Sequence, residues 1–463
     1  MEQWKAWEKE AKVRESLLYA ALKEMDKNAL LELYIRSSEH FPIFSTFALF
    51  QQATSPEIFV YANELIQETI DQGLCVPNPE ERQVSFAAEG GEVVLDRASF
   101  FANQDDLLTA IQLYLTILSN YLPALRNCEN ADEPVVFLVD RCINLIHNTV
   151  LQIAKSHSKV EKRLAFEEIC QEVTKPVYAG WFDWRADLLQ SCVCLCEDQT
   201  IREGLEKAIE EIIGSMPGSI LYKKYVGCQL QLIRYSIVQS FDPPEKMYEF
   251  VMENIQYDVF RQLALEHALQ NEEYEEVLKL ADGENWIAYA FRAYQGLGDV
   301  KNQIALGEEL LLQGEMKYYQ DLKALFSEED WNEERDMLLD FMELQEVLPE
   351  TYFEILKRER IYDRLLVYVE KNPEVLFDVA EILAEGLPEA TEAFFFGDIE
   401  KNGNRLNFSD EEAVDEVMQE IELFFTIFGE EKGRAMLKEM EKLSLGSRLV
   451  RCWTIWSSLK DEN

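Results

Sequence analysis

Basic side chains are scarce in this sequence. Its 44 Lys and Arg residues stand against 87 Asp and Glu residues, which gives a formal net charge of -43 at pH 7. A protein that holds DNA or RNA neutralises roughly 6 to 10 phosphates with Lys and Arg, so this chain would on average repel that backbone. The composition therefore disfavours direct nucleic-acid binding. The acidity has two remaining interpretations, which are the solubility of a long exposed surface and the attraction of a basic partner protein.

Long apolar runs are missing as well. No window contains the 18 consecutive apolar residues that a membrane-spanning helix requires. The first 25 residues have neither the apolar core nor the small-residue cleavage site of a secretory signal. We therefore expect no membrane association and a cytoplasmic location. With 48% hydrophobic residues, the 463-residue chain still has enough apolar material to fold.

The residues that most often carry metal or catalytic chemistry are few and dispersed. Only four histidines occur, and His267 in LEHAL lacks the second histidine of a metalloprotease HExxH motif. If the segment around Cys192, Cys194 and Cys196 is helical, Cys194 points away from the other two, so the three thiols cannot converge on a metal ion. Carboxylates are too numerous for any pair to stand out. We expect buried, reduced thiols, no metal, no cofactor, no catalytic residue, and a protein that is not an enzyme.

What the sequence does contain is a succession of short amphipathic helices. From Gln262 to Gly386, apolar residues recur three and four positions apart, and Gly or Pro interrupts the pattern every ten to twenty residues. None of these helices can form a core alone, so each should bury its apolar stripe against its neighbours. Gly298 followed by Asp299 is typical of a tetratricopeptide-like turn, although no strict 34-residue period is present. The pattern predicts an all-α protein, built as an antiparallel helix-pair superhelix or α-solenoid of the TPR or HEAT type.

Shifts in composition divide the chain into five parts. The clearest break has Pro77, Pro79, Gly90 and Gly91 around the alternating letters QVSFAA, which indicates a linker or a short hairpin. The predicted parts are an N-terminal helical block at 1–73, the linker or hairpin at 74–92, a helical domain at 93–258, the TPR-like stack at 259–386, and capping helices at 387–463.

The middle of the chain resembles a known family. The segments AIQLYLTIL, YAGWFDWRADLL, EYEEVLKLADGENWIAYAFRAYQGLGD, GEMKYYQDLKALFSEEDW and ETYFEILKRERIYDRLLVYVEKNPEVLF follow one another as in the long helical C-terminal region of bacterial SWIM zinc-finger proteins. The similarity covers Val93 to Leu387 and consists of packing motifs. In that family a CxC…CxH zinc finger precedes the helices, and a role in DNA-associated or partner-associated complexes, some with helicase-like ATPases, is inferred. No CxH occurs here, so the resemblance implies the helical scaffold and a role as a partner of other proteins, without the zinc site.

An aromatic cluster at the entry of one helix provides the candidate binding residues. Trp and Arg dominate interface hot spots, so Trp181, Trp184 and Arg185 could form an exposed anchor for a partner protein. Core packing explains the same tryptophans, because burial of one such ring contributes about 2 to 3 kcal/mol. Both interpretations are open at the level of the sequence.

These patterns together predict a non-catalytic scaffold or adaptor that presents an acidic helical surface to another protein. A basic partner would be attracted by charge, and its binding would weaken as salt rises. The alternative, implied by the family resemblance, is a regulator associated with nucleic-acid-processing complexes that acts through a partner.

Overall fold

The computed structural model describes residues 18–74, 81–126, 133–178, 180–215, 218–405, 411–442 and 446–461. Throughout these ranges the secondary structure is helical, with no strand. The prediction of an all-α fold is therefore confirmed. The chain divides into two compact units, residues 1–264 and 265–463.

Besides a helical segment at residues 18–23, the first unit contains eleven α-helices whose bounds lie within its described residues, and another runs across the boundary. They are α1 (Lys27–His40), α2 (Ile43–Gln52), α3 (Glu57–Gly73), α4 (Glu81–Asn103), α5 (Leu107–Arg126), α6 (Glu133–Ser156), α7 (Lys159–Val173), α8 (Phe182–Ser191), α9 (Gln199–Ser215), α10 (Ile220–Phe241), α11 (Pro244–Glu253) and α12 (Asp258–Gln270). Two 3-10 turns, Pro176–Tyr178 and Val193–Leu195, flank α8.

Helices α4 and α5, which follow each other in the first unit, run antiparallel. Ser99 near the end of α4 lies 3.5 Å from Tyr114 of α5. Tyr121, further along α5, instead contacts Ala87 in the earlier half of α4. Because the residue numbers run in opposite directions along the contact, the two helices form a hairpin, as short connections between helices favour.

Helices α5 and α7, which are separated by α6 in the chain, run parallel. Gln112 and Ser119 of α5 bond to Glu168 and Glu172 of α7, so residue numbers increase together along these two helices. In the same way α3 packs on α5, α4 on α6, and α6 on α8. The helices thus form two layers, one of α3, α5 and α7 and one of α4, α6 and α8. This stacking of helix pairs, each in contact with its neighbours, is the arrangement of an α-solenoid.

The prediction of a linker or hairpin at 74–92 is wrong for residues 81–92, which form the first half of α4. Residues 75–80 lie outside the described part of the chain. The division into two compact units falls between Ala264 and Leu265 rather than in this segment.

The glycines of this segment are packing residues of a helix rather than turn residues. A Cβ atom at Gly90 would lie 2.3 Å from Oγ1 of Thr69 on α3, and one at Gly91 would lie 2.4 Å from Cδ2 of Leu138 on α6. Cβ atoms essentially never approach another atom this closely, so a side chain at either position would force its neighbours to shift. The pair therefore allows α4 to approach helices on both sides, which explains why glycines occur where a helix-forming residue would otherwise be preferred.

Two helices of the first unit, Leu107–Arg126 and Pro134–Lys155, are long and apolar enough to cross a membrane by length and composition alone. In the structure they pack against each other and against the helices beside them. Residues such as Ile111, Leu118 and Ile146 have no exposed surface. A helix that is apolar on most of its faces is expected at the centre of a large helical core.

The second unit is also built from successive α-helices, which follow α12 in the chain. Its helices within the described residues are α13 (Tyr274–Leu280), α14 (Ile287–Leu297), α15 (Val300–Leu312), α16 (Tyr319–Lys323), α17 (Glu328–Glu343), α18 (Glu350–Glu359), α19 (Tyr362–Lys371), α20 (Leu376–Gly386), α21 (Pro388–Arg405), α22 (Glu411–Met440) and α23 (Gly446–Asp461), with 3-10 turns at Glu284–Trp286, Met316–Tyr318 and Pro373–Val375. Helix α22 is interrupted at Gly429, whose φ is 82° and ψ is 167°.

The second unit repeats one packing motif. Tyr274, the first residue of α13, covers Gly296 near the end of α14, and Tyr362, the first residue of α19, covers Gly386 at the end of α20. A Cβ atom at either glycine would lie within 2.3 Å of the ring. A short 3-10 turn precedes the second helix of both pairs. The two pairs are therefore degenerate copies of one unit.

Five helix ends share one type of turn. A left-handed residue follows the helix, and the next amide donates to the carbonyl five positions earlier, at 2.8 to 3.0 Å. The predicted turn at Gly298 is one of these, and the Asp299 side chain caps the next helix by accepting from the Asn302 amide at 3.2 Å. The left-handed residues are Asp105, Glu272, Gly298, Gly314 and Arg360.

Candidate functional site

A cleft of about 350 Å³ lies on the layer formed by α3, α5 and α7. Each helix contributes side chains spaced three or four residues apart, which places them on one face. We call it the polar cleft, and its lining residues are Phe59, Asn63, Gln112, Leu115, Thr116, Ser119, Glu168, Gln171, Glu172 and Lys175.

Side-chain amides connect α3 to α5 at one end of the polar cleft. Gln67 donates through Nε2 to Oδ1 of Asn120 at 2.6 Å. The Asn120 amide donates in turn to Oδ1 of Asn63 and to the Thr116 carbonyl, both at 2.7 Å. Asn120 is 9% exposed, so its full set of bonds removes the cost of burying an amide. The hydrogen bond from Asn120 consequently fixes the orientation of the exposed Asn63 side chain.

Carboxylates of α7 accept hydrogen bonds from polar side chains of α5. Gln112 Nε2 donates to Oε1 of Glu168 at 2.8 Å. Ser119 Oγ donates to Oε1 of Glu172 at 2.7 Å, while Lys175 Nζ lies 2.5 Å from the other Glu172 oxygen. Glu172 is only 3% exposed, and a buried carboxylate requires this degree of pairing. The floor of the polar cleft is therefore a fixed network rather than a set of loose side chains.

The charges of the lining residues do not balance. Glu172 is neutralised by Lys175, whereas Glu168 receives only a neutral amide bond among the described contacts. The lining set of two carboxylates and one ammonium group has a formal charge of -1. Chemically, the polar cleft can accept hydrogen bonds, donate them through amides, and bind one cation.

The Tyr178 hydroxyl lies buried beside this network. It follows Lys175 in the 3-10 turn after α7 and is 1% exposed. Burial, followed by the negative charge of Glu172, raises the pKa of Tyr178 far above its ordinary value. The hydroxyl makes no hydrogen bond of standard geometry to the described residues. It remains protonated at every physiological pH and adds no charge to the polar cleft.

Sequence reasoning missed this site, although one signal was present. Helix α5 is apolar over most of its surface, and its polar residues Gln112, Thr116, Ser119 and Asn120 share one face. Polar residues at helical spacing on a core helix indicate a face that is not buried against another helix. The contributions of α3 and α7 are more than 50 residues away along the chain and become visible only in the folded protein.

The candidate residues at the entry of α8 are held by the fold. The Trp181 and Trp184 rings stack with centroids 4.8 Å apart, and both are half-buried against the core. The Trp184 indole donates to Oδ1 of Asp140 at 2.7 Å, and Arg185 Nε donates to the Val173 carbonyl at 2.6 Å. Burial lowers the pKa of Arg185 from its ordinary value. These residues are brought together as the sequence predicts, and their role in partner binding stays a prediction.

The cysteine triplet does not lie on one helix, as the sequence argument assumed. Helix α8 ends at Ser191, and a 3-10 turn then places Cys192 and Cys196 in the core, with Cys194 less buried. All three thiols are free, and burial raises the pKa of each, to about 12 for Cys196. High thiol pKa values disfavour the thiolate form that metal binding and redox chemistry require. Among the residues that the structure describes, no group of three or more His, Cys, Asp or Glu side chains is arranged to hold a metal ion.

Two carboxyl groups of the second unit have raised pKa values. Burial, reinforced by the charge of Asp398, raises the pKa of Glu420 to about 8. Burial and a contact with Glu334 raise the pKa of Glu308 to about 8 as well. Perturbed carboxyls of this kind occur both in active sites and in structural pairs. Neither belongs to the polar cleft.

Comparison with known proteins adds little to this geometry. No family model matches the chain, and no curated protein matches it. Among solved structures, the chain is similar to a "circular tandem repeat protein with novel repeat topology and enhanced subunit contact surfaces", at 13% identity and a TM-score of 0.26, with 96% of each chain covered. This likeness carries no information about function. The resemblance to the helical region of SWIM zinc-finger proteins stays a prediction.

Proposed function

We propose that this protein is a non-catalytic helical-repeat scaffold that binds another protein, and that the polar cleft of the first unit is a site of that binding. The observation that carries the proposal is the parallel layer of α3, α5 and α7, whose polar side chains open onto one shared surface. Stacked helix pairs create extended surfaces of this kind, and proteins built from them use such surfaces to bind partners.

The fixed geometry of the polar cleft supports recognition. Asn120 and Glu172 are buried and fully bonded, and they hold Asn63, Ser119 and Lys175 in place. A site whose side chains are already ordered loses less conformational entropy when a ligand binds. The polar cleft therefore has the pre-organisation of a binding site.

The charge of the chain supports a basic partner. With 87 acidic and 44 basic residues, the protein attracts positively charged surfaces from a distance. This attraction accelerates encounter and disappears as salt screens it, over a distance of about 8 Å at physiological ionic strength. Binding should therefore have a salt-dependent component in addition to the contacts in the polar cleft.

The test compares proteins captured by three forms of the full chain in the native host. These are the wild type, the cleft variant Asn63→Ala with Gln112→Ala, and the control variant Gln199→Ala, which removes an exposed amide of α9 outside the polar cleft. Quantitative mass spectrometry at low and high salt gives the abundance of each captured protein. Binding to the purified partner is then measured by calorimetry.

We expect at least one partner to be retained by the wild type and the control and depleted severalfold in the cleft variant, at a temperature below the melting transition of all three forms. Equal capture by all three forms would contradict the assignment of the polar cleft. If the depleted partners are nucleic-acid-processing proteins, the alternative of a regulator that acts through a partner becomes the better description.

A further inference from the structure

We infer that the ligand of the polar cleft is an extended peptide segment with an arginine or lysine side chain that binds Glu168. This inference rests on the proposed function, because it names the chemistry of the partner that the polar cleft holds. Four features of the site lead to it: an unbalanced carboxylate, exposed amides on both edges, the size of the opening, and an apolar wall.

The unbalanced carboxylate sets the charge of the ligand. Glu168 projects from the middle of α7 and is paired only with the neutral Gln112 amide in the described contacts. Its neighbour one turn later, Glu172, already has Lys175 and Ser119 as partners. A guanidinium or ammonium group on Glu168 would make a charge-assisted hydrogen bond, which is roughly twice as strong as a neutral one. An acidic side chain there would instead meet two carboxylates.

Amides on the two edges of the polar cleft set the backbone conformation of the ligand. Asn63 on α3 and Gln171 on α7 are both exposed. In Asn63, Nδ2 already donates to the Phe59 carbonyl and Oδ1 accepts from Asn120, so each atom has one hydrogen-bonding position left for the acceptor and the donor of a peptide unit. Only a segment whose main-chain groups are not already bonded to each other can use both edges. That condition is met by an extended chain and not by a helix.

The dimensions agree with a short extended segment. Neighbouring packed helices are about 8 to 10 Å apart, so a path across α3, α5 and α7 covers roughly 16 to 20 Å. An extended chain advances about 3.3 Å per residue, so about five or six residues cross the layer.

An apolar wall completes the site for a long basic side chain. Phe59 is half-buried against the core, and Leu115 at the floor is 5% exposed. Arginine and lysine bury their aliphatic stems along such surfaces while the charged end reaches a polar group. Phe59 and Leu115 therefore provide the contact for the stem, and Glu168 provides the contact for the charge.

The experiment measures binding of fluorescent hexapeptide libraries to the full-length protein by anisotropy. Four libraries are used, each acetylated and amidated at its ends, with Arg, Lys, Gln or Glu fixed at the third position and the other positions randomised without charged residues. We expect the Arg and Lys libraries to bind about tenfold more tightly than the Gln library, as one charge-assisted hydrogen bond predicts. The Glu library should bind most weakly.

Two variants then locate the effect. Glu168→Gln should abolish the preference for Arg and Lys while leaving the affinity for the Gln library within about twofold. Glu167→Gln, which removes the adjacent exposed carboxylate that does not line the polar cleft, should leave the preference intact.

The result that overturns the inference is equal binding of all four libraries, no binding of any library, or an Arg preference that survives in Glu168→Gln. Each of these outcomes leaves the proposed function to be judged by partner capture. If the cleft variant loses its partner while the libraries show no charge preference, the scaffold assignment stands and only the basic extended peptide is wrong. If the cleft variant captures the same partners as the wild type in equal amounts, the proposed function itself fails.

Discussion

Tyr121 and Gly91 are joined by a hydrogen bond in which the Gly91 amide donates to the Tyr121 hydroxyl at 2.9 Å. The same hydroxyl donates to the Ala87 carbonyl at 2.5 Å. Ala87 and Gly91 are four residues apart, so they are the two groups that an α-helix normally pairs directly. A side chain of α5 thus bridges one turn of α4, and the missing Cβ of Gly91 gives the ring the space to do so. Because Asn120 directly precedes Tyr121 on α5, this contact also helps to position the polar cleft.

Tyr121→Phe tests the bridge between α4 and α5. The variant keeps the buried ring and leaves the Ala87 and Gly91 groups without the hydroxyl that bonds both. An unsatisfied buried polar group costs about 1 to 3 kcal/mol, so we expect a loss of that size in the free energy of unfolding, measured by urea denaturation. Tyr61→Phe is the control, since no hydrogen bond to the Tyr61 hydroxyl is seen within the described residues. Equal effects of the two substitutions would contradict the role of the bridge.

Gly91→Ala tests whether the α4 glycines are packing residues. The added methyl group would lie 2.4 Å from Leu138 and 2.6 Å from the Tyr121 ring, so the helices must move apart. Overpacking of this kind costs about 1 to 3 kcal/mol. Gly214→Ala on α9 is the matched control, because nothing lies within 4 Å of the new methyl group and alanine favours a helix by up to about 1 kcal/mol. The melting temperature should fall for the first variant and rise for the second.

The sequence predicts the helical stack well because helical periodicity is a local property. Gln262 to Gly386 folds into successive short helices, and the turn at Gly298 with its Asp299 cap forms as the residue types require. Glu272 and Arg360 end their helices in the same left-handed conformation, yet neither is a glycine. Their turns are closed by the same backbone bond, from the Glu273 amide to the Ala268 carbonyl and from the Ile361 amide to the Leu356 carbonyl, so they form without the glycine that a sequence rule requires.

The wrong prediction of a linker or hairpin at 81–92 also arises because sequence patterns report only local structure. Two adjacent glycines are a turn signal when only the chain is considered, and they become packing residues once Thr69 and Leu138 are placed beside them. The polar cleft is likewise a property of three helices that lie together only after folding. Local sequence patterns therefore predict the elements of an α-solenoid, whereas close approach between helices and shared surfaces depend on tertiary contacts.

Trp184→Ala tests the two interpretations of the tryptophan pair. The ring stacks on Trp181, packs against the core and donates to Asp140, so its removal should lower the free energy of unfolding by about 2 kcal/mol. Trp184→Phe keeps most of the packing and loses only the indole donor, so its effect should be smaller. Calorimetry measures both. An unchanged melting temperature together with lost partner binding would favour the exposed anchor instead.

Glu420→Gln tests the buried carboxyl group of the second unit through the pH dependence of the free energy of unfolding. Glu420 is 5% exposed and lies near Asp398 and Asn402, and its pKa is raised from 4.5 to about 8, chiefly by burial. The folded state keeps the proton that the unfolded chain loses near pH 4.5, so this residue's contribution to stability is fully present below that pH. It is lost as the pH rises to about 8.

A difference of one pKa unit corresponds to about 1.4 kcal/mol. The free energy of unfolding of the wild type should therefore fall by on the order of a few kcal/mol as the pH rises from about 4.5 to about 8. Glutamine has the same shape and no charge, so Glu420→Gln should be the more stable protein at pH 8 and should approach the wild type near pH 5. Glu416→Gln is the control, because Glu416 is an exposed carboxylate one turn earlier on α22. Urea denaturation at intervals between pH 5 and pH 9 gives the free energy of unfolding of each of the three proteins as a function of pH. If wild type and Glu420→Gln run parallel over the whole range, Glu420 does not titrate as a buried carboxyl and its environment is more polar than its contacts indicate.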